Sequence, residues 1–265
     1  MAAMDFEHGP GGAKLAFLQD GPADDLGRCG FFWLCGFKSD MTGTKAEAMA
    51  ALARETRRPG LRFDYSGHGK SEGLFTDGTI SDWLEQSIHM FITKTHSKRI
   101  VVGSSMGGWL AILLAKVLLR DDPRAARRIA GIVLVAPAAD MTSDLMWDMF
   151  SASARTQLED RGVYLQPSIY GEPLPITLKL LQDGTKHLLL KTGLELPCPV
   201  RILQGSADPD VPPSHALKVF EALSGADVTM TLIKGGDHRL STPGQLKIIR
   251  ETALQLAERA DGINA

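Results

Sequence analysis

The chain has 265 residues, of which 44% are hydrophobic and 23% charged, and its 29 basic and 31 acidic side chains give a formal net charge of -2. This composition excludes an intrinsically disordered chain and a polybasic surface, so we expect a globular protein with no nucleic-acid partner. Its 3 cysteines are too few for a disulfide framework, and none has the C-x-x-C spacing of a metal or redox site, which indicates a reducing environment.

The sequence predicts neither a targeting segment nor a membrane anchor. Residues 1–14 include Asp5 and Glu7, and they have neither the apolar region of a signal peptide nor the basic composition of a transit peptide. The longest apolar stretch, Trp109–Ala115, ends at Lys116 and is far shorter than the roughly 20 residues of a transmembrane helix. We therefore expect a cytoplasmic protein.

Short β-branched or aromatic runs alternate with amphipathic helical patterns along the chain. Several runs are apolar throughout, as expected of strands that are buried on both faces. The predicted strands are Lys14–Leu18, Phe31–Leu34, Leu61–Asp64, Ile100–Gly103, Gly131–Val135, Val200–Gln204 and Val228–Ile233. The alternation predicts an α/β fold, with a mostly parallel central sheet flanked by helices in a single domain over residues 1–265.

One helix is predicted between the strands Leu61–Asp64 and Ile100–Gly103. Thr79 can cap this helix, because a threonine side chain accepts a hydrogen bond from the first helical turn. Apolar residues then recur at spacings of three and four, which predicts a helix packed on the sheet through one face: Ile80, Trp83, Leu84, Ile88, Phe91 and Ile92.

The segment from Ala138 to about Glu195 interrupts the alternation of strands and helices. It is rich in methionine, aromatic residues and leucine, with three prolines as breaks. We interpret it as a helical insertion. It provides either additional packing or a lid over a hydrophobic substrate site.

A serine flanked by glycines lies where a predicted strand ends and an apolar helix begins. In the sequence Gly-Ser-Ser-Met-Gly of residues 103–107, Ser105 has a glycine two residues away on each side, whereas Ser104 does not. A serine nucleophile on such a strained turn projects above the sheet, and side chains at the flanking positions would collide with the strand and helix. The motif therefore predicts Ser105 as a catalytic nucleophile.

A serine nucleophile requires a histidine base that is oriented by a carboxylate, here in the chain order serine, acid, histidine. Asp208 follows the strand Val200–Gln204, at the sheet edge where active-site loops lie. Asp208 is our predicted acid. Asp210, two residues later, is the alternative, unless it is a solvated turn residue.

His238 follows the last predicted strand and reaches the same sheet edge, so it is the predicted base. The neighbouring Asp237 is interpreted as a loop-anchoring residue, with the triad acid as its alternative role. The other histidines are interpreted as surface or turn residues, although His68 is also a candidate for lining the site.

The tetrahedral intermediate requires two hydrogen-bond donors. The backbone N–H groups of Met106, after the nucleophile, and of Phe37, after Gly36, are the predicted oxyanion hole. The glycine-rich segment 67–73 departs from a dinucleotide fingerprint, and no metal-ligand motif occurs. We therefore expect no metal and no organic cofactor.

Five segments carry a resemblance to a known family: 36–46, 62–67 with Gly69, 103–105 with 107–110, 198–199 with Asp208 and 211–212, and 237–239. They resemble the α/β-hydrolase superfamily and, within it, the palmitoyl-protein thioesterase and acyl-glucuronide esterase family known as α/β-hydrolase domain-containing protein ten. The resemblance implies an α/β-hydrolase fold with Ser105, Asp208 and His238 as nucleophile, acid and base. Where many superfamily members carry histidine, this chain has Cys35, and the insertion matches least well.

The residues and the resemblance together predict a serine hydrolase that cleaves acyl esters or thioesters through an acyl-enzyme. Its substrates would be small molecules or lipid acyl groups, acylated proteins included. Two other classes remain open at this stage. A peptidase or carbon–carbon bond hydrolase can use the same triad, and a protein of this fold can also bind ligands without catalysis.

Overall fold

The computed structural model describes residues 3–22, 27–168 and 171–262. Within these ranges the strands are β1 (Asp5–His8), β2 (Lys14–Asp20), β3 (Gly30–Leu34), β4 (Gly60–Phe63), β5 (Arg99–Ser104), β6 (Ile129–Val135), β7 (Val163–Ser168), β8 (Gly171–Thr177), β9 (Leu194–Glu195), β10 (Val200–Gly205), β11 (Leu223–Ser224) and β12 (Val228–Ile233). The helices are α1 (Thr44–Glu55), α2 (Ile80–Lys94), α3 (Met106–Asp121), α4 (Pro123–Ala126), α5 (Ala152–Arg161), α6 (Leu178–Gly184), α7 (Pro213–Ala222) and α8 (Pro243–Ala260). Short 3-10 or π turns occur at Pro10–Gly12, Phe75–Asp77, Thr142–Met146, Trp147–Met149 and Thr185–His187.

Eight of the described strands form one sheet in the order β1-β2-β4-β3-β5-β6-β10-β12. The pairs β1/β2 and β2/β4 are antiparallel, and the other neighbours in the sheet are parallel. This confirms the predicted α/β fold with a mostly parallel sheet, and each predicted strand overlaps an observed one. The sequence did not predict β1, because its four residues are largely polar and exposed at the sheet edge.

The central strands are buried along their whole length, which explains their continuous apolar sequences. Every residue of β3 and β5 is buried. Helix α3 packs on β5 beside α2, and α8 packs on β6 beside α1, so helices cover the sheet. Helix α2 begins after Thr79, whose side chain accepts a hydrogen bond from the backbone N–H of Asp82, as the sequence predicted.

The insertion between β6 and β10 is not wholly helical, which corrects the prediction. It contains α5 and α6, but β7 and β8 form an antiparallel hairpin between them. The prolines that indicated breaks, Pro167, Pro173 and Pro175, lie within this two-stranded hairpin. A strand at the edge of a sheet tolerates proline because the N–H group that proline lacks need not pair.

Two buried carboxylates of the insertion close its base and fasten it to α2. Asp140 accepts hydrogen bonds from the backbone N–H groups of Leu189 and Leu190, at 2.9 and 3.0 Å. Asp183 accepts hydrogen bonds from the backbone N–H and the hydroxyl group of Ser81, at 2.8 and 2.9 Å. The insertion is therefore held at its base and against the start of α2.

None of the helices in the described ranges combines the length and the apolar character that crossing a membrane would require.

Candidate active site

Ser105 lies between the end of β5 and the start of α3, in a conformation that non-glycine residues rarely adopt. Its φ is 55° and its ψ is -119°. The surrounding backbone holds it there, because its N–H donates to the carbonyl of Val135 at 2.9 Å and its carbonyl accepts from Gly108 and Ala138. Strained residues of this kind cluster at functional sites, where the surrounding structure fixes them.

Two glycines beside Ser105 are required by close backbone contacts. A Cβ atom on Gly103 would lie 2.2 Å from the carbonyl oxygen of Gly107, and one on Gly107 would lie 2.1 Å from that of Leu34. Real Cβ atoms do not approach backbone oxygens so closely. The steric reason for the glycine spacing in the sequence is therefore present in the structure.

The structure brings Ser105, His238 and Asp208 together at the carboxyl edge of the sheet. The Nε2 atom of His238 lies 3.1 Å from Oγ of Ser105, and its Nδ1 atom lies 2.9 Å from Oδ2 of Asp208. A histidine whose Nδ1–H donates to the carboxylate leaves Nε2 free to accept from a hydroxyl group. The three predicted side chains form one continuous hydrogen-bonded path.

The Asp208 carboxylate is fixed from several directions. Its side chain is fully buried, its Oδ1 accepts from the backbone N–H groups of Asp210 and Val211, and its Oδ2 also accepts from the Gln204 side chain. Burial alone would raise the pKa of Asp208, but the hydrogen bonds and the charge of His238 outweigh it and hold that pKa below its ordinary value. Asp208 is therefore suited to remain ionised beside the imidazole. Gln204 was not singled out from the sequence.

The alternative acids occupy different positions. Asp210 is exposed, and its backbone N–H donates to Asp208. Asp237 is also exposed, and its Oδ1 accepts a hydrogen bond from the backbone N–H of Leu240, which anchors the loop as expected. The carboxylate that pairs with Nδ1 of His238 is that of Asp208.

The predicted oxyanion donors lie on the loops beside Ser105. Met106 is the first residue of α3, and Gly36 brings the loop after β3 so close that a Cβ atom on it would lie 3.3 Å from Cβ of Ser105. In the described part of the chain, the N–H groups of Met106 and Phe37 donate to no protein acceptor. The Phe37 ring packs on Phe75, with ring centroids 4.8 Å apart.

His68 supports the loop after β3 rather than lining the candidate site. It is 4% exposed, its Nε2 accepts from the N–H of Lys38 at 3.3 Å, and its Nδ1 lies 3.2 Å from the carbonyl oxygen of Ser66. Burial lowers the pKa of His68 to about 4, so the ring is neutral at neutral pH and can accept this bond.

Asp64 holds the same loop at a second point. Its Oδ1 accepts from the backbone N–H of Met41 at 2.7 Å, and its Oδ2 accepts from that of Lys70 at 2.8 Å. The sequence analysis did not assign either supporting role. The signal available for Asp64 was its place in the family segment 62–67 with Gly69.

A cavity of about 470 Å³ opens over Ser105 and His238. Its described lining comes from the loop after β3, the first turn of α1, the loop after β12, and the insertion hairpin through Leu174. Lys45, which the sequence analysis did not single out as functional, also lines it. Burial lowers the pKa of Lys45 to about 8, although the carboxylates of Asp237 and Asp208 partly oppose this effect.

Among the described residues, Asp208, Asp210 and His238 form a group whose potential ligand atoms lie within 4.8 Å of one another. Nδ1 of His238 already bonds to Asp208, and Nε2 of the same ring bonds to Ser105. The arrangement of Asp208 and His238 therefore fits a path for proton transfer better than a metal centre.

Comparison with curated proteins identifies thioesterase relatives. The chain is 28% identical over 236 residues to the human mitochondrial palmitoyl-protein thioesterase ABHD10, covering 88% of this chain and 74% of the relative. That relative is mitochondrial, and the cytoplasmic location of this chain stays a prediction.

Two solved structures agree with this relationship. A provisionally assigned hydrolase from Agrobacterium vitis S4 superposes with a TM-score of 0.91 at 41% identity, over 97% of this chain and 99% of that one. Mouse α/β-hydrolase domain-containing protein 10 superposes with a TM-score of 0.84 at 25% identity, over 97% of this chain and 99% of that one. The family model for the alpha/beta hydrolases matches residues 29–246, and with the sheet order and the site geometry described above, we conclude that the chain belongs to the alpha/beta hydrolase family.

Proposed function

We propose that the chain is a serine hydrolase that cleaves carboxylic acyl esters or thioesters through an acyl-enzyme on Ser105. The observation that carries the proposal is the hydrogen-bonded path from Asp208 through His238 to Ser105, which ends in an open cavity. The similarity to a palmitoyl-protein thioesterase supports the choice of acyl substrates.

In the acylation step, Oγ of Ser105 attacks the carbonyl carbon of the substrate and its proton moves to Nε2 of His238. The ionised Asp208 carboxylate, 2.9 Å from Nδ1, stabilises the imidazolium that forms. His238 then gives the proton to the departing alcohol or thiol. The acyl group remains bonded to Ser105.

The negative charge on the former carbonyl oxygen is stabilised by the N–H groups of Met106 and Phe37. Both amides are without a protein acceptor in the described part of the chain, so donating to the oxyanion breaks no existing bond between protein groups. Backbone donors fixed in advance stabilise such charge more effectively than water does. The hydrogen bonds that the N–H groups of Lys38 and Met41 donate to His68 and Asp64 keep the loop that carries Phe37 in place.

In the deacylation step, a water molecule gives a proton to Nε2 of His238 and attacks the acyl carbonyl carbon, and Ser105 leaves as the protonated hydroxyl group. The insertion is proposed to act as a lid within the single domain, because Leu174 of its hairpin lines the cavity. Acyl groups are expected to lie against this apolar part of the wall.

The test is kcat/KM for matched oxygen esters and thioesters from acetyl to palmitoyl, with Ser105→Ala as the inactive variant and Ser104→Ala as its control. We expect hydrolysis that requires Ser105 and survives the loss of Ser104. Turnover restricted to amides or carbon–carbon bonds would replace the proposal with another triad hydrolase. Absence of all turnover would favour a binding protein of this fold.

A further inference from the structure

One wall of the candidate active-site cavity is rich in positive charge. Lys38 and Lys45 come from the loop after β3 and the first turn of α1, and Arg239 comes from the loop after β12. Among the described lining residues, Asp40 is the acidic one, and its Oδ1 already accepts hydrogen bonds from the N–H and hydroxyl groups of Thr42. The formal charge of this wall is therefore positive.

Lys45 is linked to the loop that carries His238 by a hydrogen bond. Its Nζ donates to the carbonyl oxygen of Arg239 at 2.5 Å, and Arg239 directly follows His238. The ammonium group of Lys45 therefore lies beside Arg239, next to the candidate base in the chain, and Lys45 lines the same cavity as Ser105.

The charge of Lys45 is not neutralised by an ion pair. In the part of the chain that the structure describes, no carboxylate oxygen lies within 4.0 Å of its Nζ. The nearby Asp208 and Asp237 are engaged instead with His238 and with the N–H of Leu240. Partly buried charges are normally paired, and the single bond to Arg239 uses one of the three ammonium donors.

The start of α1 adds positive potential at the same place. The N-cap residue Gly43 provides no side-chain hydrogen bond to the first turn, and Gly43, Thr44 and Ala46 line the cavity with Lys45. The first N–H groups of a helix lack partners within the helix and carry partial positive charge. This end of the helix therefore favours an anion in the cavity that Lys45 also lines.

We propose that Lys45 is a specificity-determining residue that binds an anionic group of the substrate, a carboxylate or a phosphate, while Ser105 attacks the neighbouring acyl carbonyl. The inference rests on the proposed function, and it narrows the substrates to esters or thioesters that carry a negative charge near the scissile bond. The charge is either on the leaving group or on the acyl group.

Two matched ester pairs distinguish these sources. The first pair is meta-acetoxybenzoate and its methyl ester, which differ in the charge of the leaving group. The second pair is para-nitrophenyl hydrogen adipate and para-nitrophenyl hexanoate, which differ in the charge of the acyl group. For each pair, the ratio of kcat/KM of the anionic to the neutral ester is measured, so that a general loss of activity cancels.

We expect Lys45→Met to lower this ratio about tenfold or more in one of the pairs, because it removes the charge and keeps a side chain of similar length. Lys45→Arg keeps the charge and should retain the ratio within about threefold. Lys247→Met, on the exposed face of α8 and outside the lining of this cavity, is the matched control. Equal ratios in the wild type and Lys45→Met for both pairs would overturn the inference and leave the proposed esterase intact.

A binding measurement separates the inference from the proposed function. Meta-hydroxybenzoate and phenyl phosphate are titrated into Ser105→Ala protein with and without Lys45→Met. If none of the esters is hydrolysed, the proposed function fails, and weaker binding after Lys45→Met still supports the anion site. Equal affinity with and without Lys45→Met refutes it.

Discussion

The positive φ of Ser105 predicts that the proposed nucleophile reduces the stability of the fold. We compare Ser105→Gly with Ser105→Ala, because both variants lose the hydroxyl group and its bond to His238. Alanine retains the Cβ atom that disfavours a φ of 55° and a ψ of -119°, and glycine does not. The difference between the two variants therefore isolates the backbone strain.

The magnitude follows from two opposing contributions. A non-glycine residue in such a sparsely populated region costs on the order of 1–3 kcal/mol, which glycine removes. Glycine also increases the entropy of the unfolded chain relative to alanine, which costs about 0.4–1 kcal/mol. We therefore expect Ser105→Gly to be more stable than Ser105→Ala by about 1 kcal/mol, or roughly 2–4 °C in Tm.

The assay is urea denaturation of both variants, with the free energy of unfolding obtained by linear extrapolation. Ser153 in α5 is exposed and provides the matched control pair, Ser153→Gly and Ser153→Ala. There the sign should be reversed, with the glycine variant less stable by up to about 1 kcal/mol, because Ser153 lies in the first helical turn. A Ser105→Gly variant that is no more stable than Ser105→Ala would refute the assignment of strain to this turn.

Three further predictions concern the groups that support Ser105. Asp208→Asn should lower kcat by about 10⁴-fold, because the amide no longer stabilises the imidazolium. Steady-state kinetics on one ester checks this, and a loss below about tenfold would contradict the role of Asp208 as the acid of the triad. His68→Leu removes the acceptor for the N–H of Lys38 and should lower kcat about tenfold with little change in KM. His68→Gln keeps an acceptor and should retain a higher kcat than His68→Leu. Equal kcat in both variants would exclude a role of His68 in positioning the loop that carries Phe37. The pKa of His68 is about 4 in the folded protein and near 6.5 in the unfolded chain. Between these two pH values the unfolded chain binds more protons than the folded protein. The free energy of unfolding of the wild type should therefore fall by up to about 3 kcal/mol as the pH drops from about 6.5 to 4. Denaturation curves across this range should show a smaller fall for His68→Gln, and an equal fall would assign the pH dependence to other groups.

The parts of the fold that were predictable from sequence are those in which local pattern and burial agree. A run such as 100–103 is apolar at every position because β5 is covered by helices on both faces. Ser105, Asp208 and His238 were predicted because each follows a strand recognisable from the sequence, and the carboxyl ends of parallel strands meet at one edge. Local sequence patterns were therefore sufficient to predict the positions of these three residues.

The hairpin and the loop supports were not predictable, because their causes are not local. Pro167 and Pro173 disfavour a strand by propensity, and only the pairing of β7 with β8 at a free edge makes the strand acceptable. His68 bonds to Lys38, thirty positions earlier in the chain, and Lys45 reaches the carbonyl group of Arg239 across the sheet edge. Such contacts are established by the tertiary arrangement, which no periodicity encodes.

The most direct test of the proposed mechanism is the mass of the intact protein after reaction with a fluorophosphonate, followed by peptide mapping of the modified residue. We expect a single adduct on Ser105 that is absent from Ser105→Ala, present in Ser104→Ala, and formed much more slowly in Asp208→Asn. An adduct on Ser104, or Ser105-independent ester hydrolysis without any adduct, would contradict the proposal that Ser105 is the nucleophile.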